Sequence, residues 1–412
     1  MHILFLTDNF PPEINAPASR TFEHCREWVR AGHEVTVITC APNFPTGKVF
    51  EGYENRWRSR EIMEGVNVVR VWSYITANEG FLKRTLDYLS FMASATAAAI
   101  SLPRPDVIVA TSPQFFTACA GYAVSRLRGV PYVFELRDLW PESIRAVGAM
   151  NDGSMLRALE RVELFLYRKA TAVVSVTHAF KKILVERGID AGKIHVVTNG
   201  ADLSHFRPRA RDEGLAQSLG LKDKFIAGYV GTHGMAHALE TVIEAAVALS
   251  HRPDLHFVLL GDGASKNALK ARAATAGLTN ITFIDSVPKA EVARYWSLLD
   301  VSIIHLKRTP LFLTVIPSKL FECMAMGIPV LHGVEGESAD IVVRDGAGLL
   351  FQPESAEALR DVLVALAADP EQRAVIRARA LIAAAQYDRS ALAQDMLNLL
   401  DRVATESNSK VS

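Results

Sequence analysis

Short apolar runs alternate with stretches of helical periodicity from Ile3 to Phe351, and this alternation leaves few folds open to the chain. Such runs suit a mainly parallel sheet, because each parallel connection is long enough to hold a helix. In the first half, strands are expected at Ile3–Thr7, Glu34–Thr39, Val66–Val71, Val107–Thr111, Tyr132–Leu136, Ala172–Thr177 and Ile194–Thr198, with helices such as Ala18–Ala31, Arg84–Ser101 and Met155–Lys169 between them. The rhythm stops at His205–Leu219, where Arg207-Pro208-Arg209-Ala210-Arg211-Asp212-Glu213-Gly214 is polar and irregular and reads as a linker. A second series starts at Phe225–Val230 and continues through His256–Leu260, Ile281–Ile284, Val301–Ile304, Pro329–Leu331 and Gly348–Phe351. At 412 residues the chain exceeds one comfortable core. The expected fold is therefore α/β, with two doubly wound Rossmann-like domains facing each other across a cleft. Ligands of such sheets sit outside the carboxyl ends of the strands, so loops from both halves would feed one site. A last helix is expected near Arg389–Val403, with frayed residues beyond Thr405.

Charge and cysteine content narrow the function. With 45 basic and 45 acidic side chains the chain has no net charge, so nothing marks it as a nucleic-acid binder and any anion site must be local. Cys25, Cys40, Cys119 and Cys323 show no C-x-x-C spacing and read as reduced core residues of a cytosolic protein. The opening Met-His-Ile-Leu-Phe-Leu-Thr-Asp reads as a first strand rather than a signal peptide. The most apolar later stretch, Tyr88–Leu102, is shorter than the ~20 residues that span a bilayer.

Residues 313–331 carry the strongest chemical signal. Pro317 suits the first turn of a helix, and Gly327 followed by Pro329 marks its end, about three turns on. Ser318, Lys319 and Glu322 then share much the same face near the helix start, where free N–H groups and the positive dipole favour a phosphate. Glu322, one turn deeper, is placed for neutral hydroxyls such as those of a ribose. The alternative is an ordinary amphipathic helix packed by Leu320, Phe321, Met324 and Ala325, with Lys319 and Glu322 as a surface pair. Gly231-Thr232-His233-Gly234 after the strand Phe225–Val230 offers a second phosphate cradle, and His237 would add charge once a phosphate favours its protonated form. Gly261-Asp262-Gly263 is first a turn and second a ligand loop. In the first half, Glu135-Leu136-Arg137-Asp138-Leu139-Trp140-Pro141-Glu142 puts charges at a strand's ligand-facing end, either as a structural network or for substrate handling. No D-x-D, H-E-x-x-H, P-loop or G-x-S-x-G motif occurs.

Over nearly its whole length the chain resembles the retaining glycosyltransferases of the two-Rossmann-domain type, GT-B family 4. The resemblance rests on Gly32-His33-Glu34-Val35-Thr36-Val37-Ile38-Thr39, on Asn199-Gly200-Ala201-Asp202 with Phe206 and Pro208, on Gly261-Asp262-Gly263, and on Met324-Ala325-Met326-Gly327-Ile328-Pro329-Val330. The Leu136–Glu142 and Pro317-Ser318-Lys319 segments look most like enzymes of bacterial surface-polysaccharide assembly, including those of the N-acetylfucosaminyltransferase type. The resemblance implies an acceptor-binding domain at 1–203, a nucleotide-sugar-binding domain at 204–388, and a C-terminal helix and tail at 389–412 able to cross back to the first domain. It implies a cytoplasmic enzyme, peripheral on the inner face of the plasma membrane if it meets a lipid-linked acceptor, with no metal and no cofactor.

By the same resemblance the donor, a UDP-sugar by family habit, is held by Asn15, Ala16, Gly231, Thr232, His237, Gly261, Val287, Thr314, Ser318, Lys319 and Glu322, with Arg137, Asp138 and Lys319 catalytic. Glu322 matches the second glutamate of the family's E-x7-E motif, whereas Thr314 stands where the first would be. The family's diphosphate-binding Arg and Lys fall on Thr232 and His237, its first-domain histidine on Arg137, and its paired glycines on Asn15 and Ala16. The activity implied is transfer of a hexose, N-acetylated or deoxy, to a lipid-linked saccharide of O-antigen, capsule or exopolysaccharide. Lys319 and a protonated His237 would stabilise the departing diphosphate, and Arg137 and Asp138 would orient sugar and acceptor. Phe81, Lys83, Arg84, Tyr88 and Phe91 open a helix that could rest on a membrane, or simply pack as a core helix with a solvated first turn. A non-catalytic nucleotide-sugar or glycan-binding protein and a sugar-nucleotide epimerase are the competing readings; acceptor-dependent transfer separates the first from both.

Overall fold

The computed structural model describes residues 1–44, 46–76, 81–112, 114–139 and 153–409. Trp140, Pro141 and Glu142 lie outside the described residues, as does the side chain of Phe81. The chain forms two compact units, Met1–Thr198 together with the helix Arg389–Ser409, and Asn199–Asp388.

The first unit is built on β1 (His2–Leu6), β2 (Glu34–Cys40), β3 (Arg58–Met63), β4 (Val66–Val71), β5 (Val107–Thr111), β6 (Tyr132–Leu136), β7 (Ala172–Ser175) and β8 (Ile194–Val196). They form one sheet in the order β3-β4-β2-β1-β5-β6-β7-β8, parallel throughout except where β3 pairs antiparallel with β4. Strands β1, β5, β6 and β7 are buried along their whole length and mostly apolar, because helices cover both faces, with Glu135 and Ser175 among the buried polar exceptions. The helices are α1 (Ala16–Arg30), α2 (Phe81–Ile100), α3 (Phe115–Arg128), α4 (Ser154–Lys169) and α5 (His178–Glu186). The edge strand β3 escaped the sequence reading. Its Arg-Ser-Arg-Glu-Ile-Met is half exposed and pairs on one side only, so no apolar run announces it.

The second unit carries α6 (Glu213–Ser218), β9 (Phe225–Val230), α7 (Glu240–Ala248), β10 (Leu255–Leu260), α8 (Lys266–Thr275), β11 (Ile281–Ile284), α9 (Lys289–Trp296), β12 (Val301–His305), α10 (Lys319–Met326), β13 (Val330–Gly333), α11 (Glu337–Asp345), β14 (Gly348–Leu350), α12 (Ala356–Ala368) and α13 (Pro370–Ala384). Its sheet, β11-β10-β9-β12-β13-β14, is parallel throughout. Three expectations need correction. The stretch read as an irregular linker contains α6, started by Asp212, whose side chain accepts the Leu215 N–H. Helix α10 has eight residues, little more than two turns, and Gly327 in the left-handed region (φ +68) stops it. The last helix, α14 (Arg389–Ser409), runs past Thr405. It packs on α1, with Leu392, Met396 and Leu400 sharing a core with Trp28, whose indole N–H donates to Ala393 O at 2.8 Å.

Candidate active site

Two glycine loops at the carboxyl ends of β9 and β10 lie against one another in the second unit. The Gly231 N–H donates to Leu260 O (2.9 Å), the His233 N–H to Asp262 O (2.8 Å) and the Ser265 N–H to His233 O (2.9 Å). A β-carbon on Gly261 would stand 1.9 Å from the Gly231 oxygen, and Gly261 also has φ +141, which other residues avoid. Contact between two backbones therefore demands glycine there. Buried Lys266 secures the arrangement, its Nζ donating to Gly261 O at 2.7 Å and to Asp285 Oδ1 at 2.5 Å.

Helix α10 starts beside the first of these loops. Its opening is a tight turn, with the Leu320 N–H bonded to Pro317 O (3.0 Å) and the Phe321 N–H to Ser318 O (3.1 Å). Lys319 reaches from it to the face of the Tyr229 ring, its Nζ 3.7 Å from the ring centroid and 2.7 Å from where a side chain on Gly231 would begin. The lysine is half-buried as a whole, yet its ammonium nitrogen is sealed from solvent and makes no hydrogen bond among the described residues. Burial pushes its pKa down to about 7, with Glu322 opposing the shift. The Tyr229 hydroxyl donates to Thr232 O at 2.8 Å, so one aromatic side chain joins the loop to the lysine.

His233 and His237 each have a ring centroid 5.8 Å from that of Tyr229. Burial and the charges on Lys266 and Lys319 push His233 down to about 4, and burial and Lys319 push His237 down to about 3. In the ligand-free protein His237 is therefore neutral at physiological pH, and the charge expected from the sequence belongs to the phosphate-bound state. Cations this close in a desolvated pocket repel, so the positive charge rests on the lysines rather than the histidines.

Gly231, Thr232, His237, Gly261 and Lys319 thus gather around Tyr229. Thr314 ends a 3-10 turn over Pro310–Thr314, where its hydroxyl donates to Leu311 O at 2.6 Å. Ser318 and Glu322 are half-buried on α10, and Val287 packs partly against the core beneath. The sequence reading did not single out Tyr229. A ring with a polar tip, one residue before the end of an otherwise apolar strand, was the available signal.

In the first unit, Arg137 reaches back to the start of α1, donating to Pro17 O (3.1 Å) and Ala16 O (3.2 Å). Asn15 caps that helix: its Oδ1 accepts the Ala18 N–H at 2.8 Å while its Nδ2 donates to Asn9 Oδ1 at 2.6 Å. Asn15→Ala should therefore lower stability by about 1 kcal/mol in urea unfolding, with Asn15→Asp retaining most of it. The N–H groups of Arg137 and Asp138 converge on the Ser112 hydroxyl at 2.8 and 3.3 Å. Burial and neighbouring Asp8 push the Asp87 carboxyl on α2 up to about 7, which no pattern in the sequence foretold. Of the residues expected to meet a membrane, Lys83 and Arg84 are exposed, Tyr88 accepts a hydrogen bond from Arg84 (3.1 Å), and Phe91 is buried in the core.

Two Rossmann-like units, the second with glycine loops and a helix start brought together at the carboxyl ends of its strands, define an α/β protein of the GT-B architecture. The family model described as "Glycosyl transferase 4-like domain" matches residues 15–200, and that described as "Glycosyl transferases group 1" matches residues 211–381. The chain belongs to the GT-B glycosyltransferases. It is similar to a protein of Escherichia coli (strain K12) named as a colanic acid biosynthesis glycosyl transferase, WcaI, being 28% identical over 87% of this chain and 90% of that one. It is also similar to a GDP-mannose-dependent alpha-mannosyltransferase of Mycobacterium tuberculosis (strain CDC 1551 / Oshkosh), 26% identical over 85% of this chain and 84% of that one. Among solved structures, Anabaena HepE in complex with UDP and glucose superposes with a TM-score of 0.72 at 19% identity, covering 97% of this chain and 99% of that one. At that identity the likeness speaks for the fold.

Proposed function

We propose that the protein transfers a hexose, N-acetylated or deoxy, from a nucleoside-diphosphate sugar to a lipid-linked saccharide during assembly of a bacterial surface polysaccharide. The observation that carries this is Lys319: a buried ammonium that makes no hydrogen bond among the described residues, held against the Gly231 loop at a helix start. Such a group is costly unless an anion completes it, and a diphosphate would supply the missing charge. The donor's phosphates lie along the Gly231–Thr232 and Ser318–Lys319 backbone, with Glu322 toward the ribose. Lys319 then stabilises the charge that grows on the leaving group, and that phosphate oxygen takes the acceptor's proton, so the sugar keeps its anomeric configuration. Arg137 and Asp138 orient sugar and acceptor, and Lys83 and Arg84 bring the first unit to the anionic surface that carries a lipid-linked acceptor.

UDP is the proposed nucleotide; the similarity to GDP-mannose-dependent enzymes favours GDP as the second reading. Thermal unfolding with UDP-, GDP- and dTDP-sugars decides between them. A ligand at a hundred times its Kd adds about 2.7 kcal/mol. Stabilisation by the UDP-sugars above the others supports the reading, a GDP-sugar ranking first replaces the nucleotide, and no stabilisation by any of them overturns it.

A further inference from the structure

A groove of about 260 Å³ in the first unit is lined by Trp57, Arg58, Ser94, Ala97, Ala98 and Ser101, where the edge strand β3 meets α2. Arg58 spends only one arm of its guanidinium on the protein, its Nη1 donating to Ser101 Oγ at 2.7 Å. Its Nε and Nη2 are buried and make no hydrogen bond among the described residues, although the side chain as a whole is half-buried. Those two N–H groups form one edge of the fork, the edge that takes two oxygens of an oxyanion side by side. Among the described residues no carboxylate pairs with Arg58. Burial and the like charge of Arg60 hold its pKa below the usual arginine range. Native proteins pair buried donors almost without exception, and an unpaired cation is the most expensive case.

The rim of the groove supplies the rest of a binding site. Trp57 is 70% exposed, a large aromatic surface left in water. Ser94 lines the same groove from α2, and its hydroxyl makes no hydrogen bond to the described residues. Two guanidinium N–H groups and a hydroxyl match the three terminal oxygens of a tetrahedral phosphate better than the two of a carboxylate. We propose that this groove binds a phosphate monoester, its phosphate on Arg58 and its organic group against Trp57. The site is independent of the nucleotide cradle in the second unit.

Calorimetric titration with phenyl phosphate, and co-sedimentation with phosphatidylcholine vesicles with and without phosphatidic acid, test the site. Saturable binding of phenyl phosphate, weakened at least tenfold in Arg58→Gln and less in Arg58→Lys, supports a soluble ester. Binding of the phosphatidic acid vesicles alone, lost in Arg58→Gln, supports the same site with its phosphate presented by a bilayer. Ala97→Phe fills the groove from an exposed helix position while leaving Arg58 intact, and should abolish either signal. Equal binding of both probes by wild type and Arg58→Gln, or by wild type and Ala97→Phe, overturns the proposal, as does no binding of either probe.

Discussion

Replacing Lys319 by Met is expected to reduce donor turnover ten- to a hundredfold, because a charge-assisted hydrogen bond to the diphosphate is worth about 1.5–3 kcal/mol. The same change should not lower the stability of the ligand-free protein. The lysine's pKa falls from 10.5 in the open chain to about 7 in the fold, so between those values the unfolded chain binds more protons than the native one. Stability therefore rises with pH across that window, and Met removes a buried charge that opposes folding. Ligand binding runs the other way. Below about pH 7 the ammonium is already charged, whereas above it a diphosphate must draw a proton onto Lys319, so affinity for a nucleotide sugar should fall by up to about tenfold per pH unit. His237, at about 3, does not titrate there. Titrating UDP and UDP-sugars from pH 6 to 9 checks this: a slope present in wild type and absent in Lys319→Met is the expected result, and equal slopes would remove Lys319 from the site.

Glu135→Leu should destabilise the first unit by about 3–5 kcal/mol, the cost of stranding one member of a buried ion pair. Glu135 and Arg20 are both buried, 3.1 Å apart, and Arg20 also donates to Val197 O (3.0 Å) and Thr198 O (2.6 Å). Burial by itself would raise the Glu135 pKa, but Arg20 and Arg137 hold it below the usual carboxylate value. Its contribution is thus present at neutral pH and fades as acid protonates it. Urea unfolding of Glu135→Leu and Glu135→Gln measures the effect. Gln keeps a hydrogen-bond acceptor for Arg20 and should lose less; equal, small losses would show that Arg20 is satisfied by the two carbonyls alone.

Glu135 also shows where reading a sequence stops. It stood in one charged run with Arg137 and Asp138, and nothing local separated the three. The fold sends Glu135 inward to a helix residue 115 positions away, and Arg137 outward along the start of α1. The resemblance places Asn15 and Ala16 at a ligand; the fold uses the Asn15 side chain to cap α1 and the Ala16 carbonyl to accept Arg137. Strands buried on both faces were legible because burial demands mostly apolar runs. Strand β3 was not, since an edge strand with exposed positions imposes no such demand.

The two-fold βα alternation, a helix start near Lys319 and the glycine loops were legible in the sequence alone, for each follows from backbone geometry and neighbours within a few residues. Only the tertiary structure set Tyr229 beneath Lys319 and left His237 uncharged. Burial and the approach of charges from distant segments decide protonation, and neither quantity exists until the chain has folded.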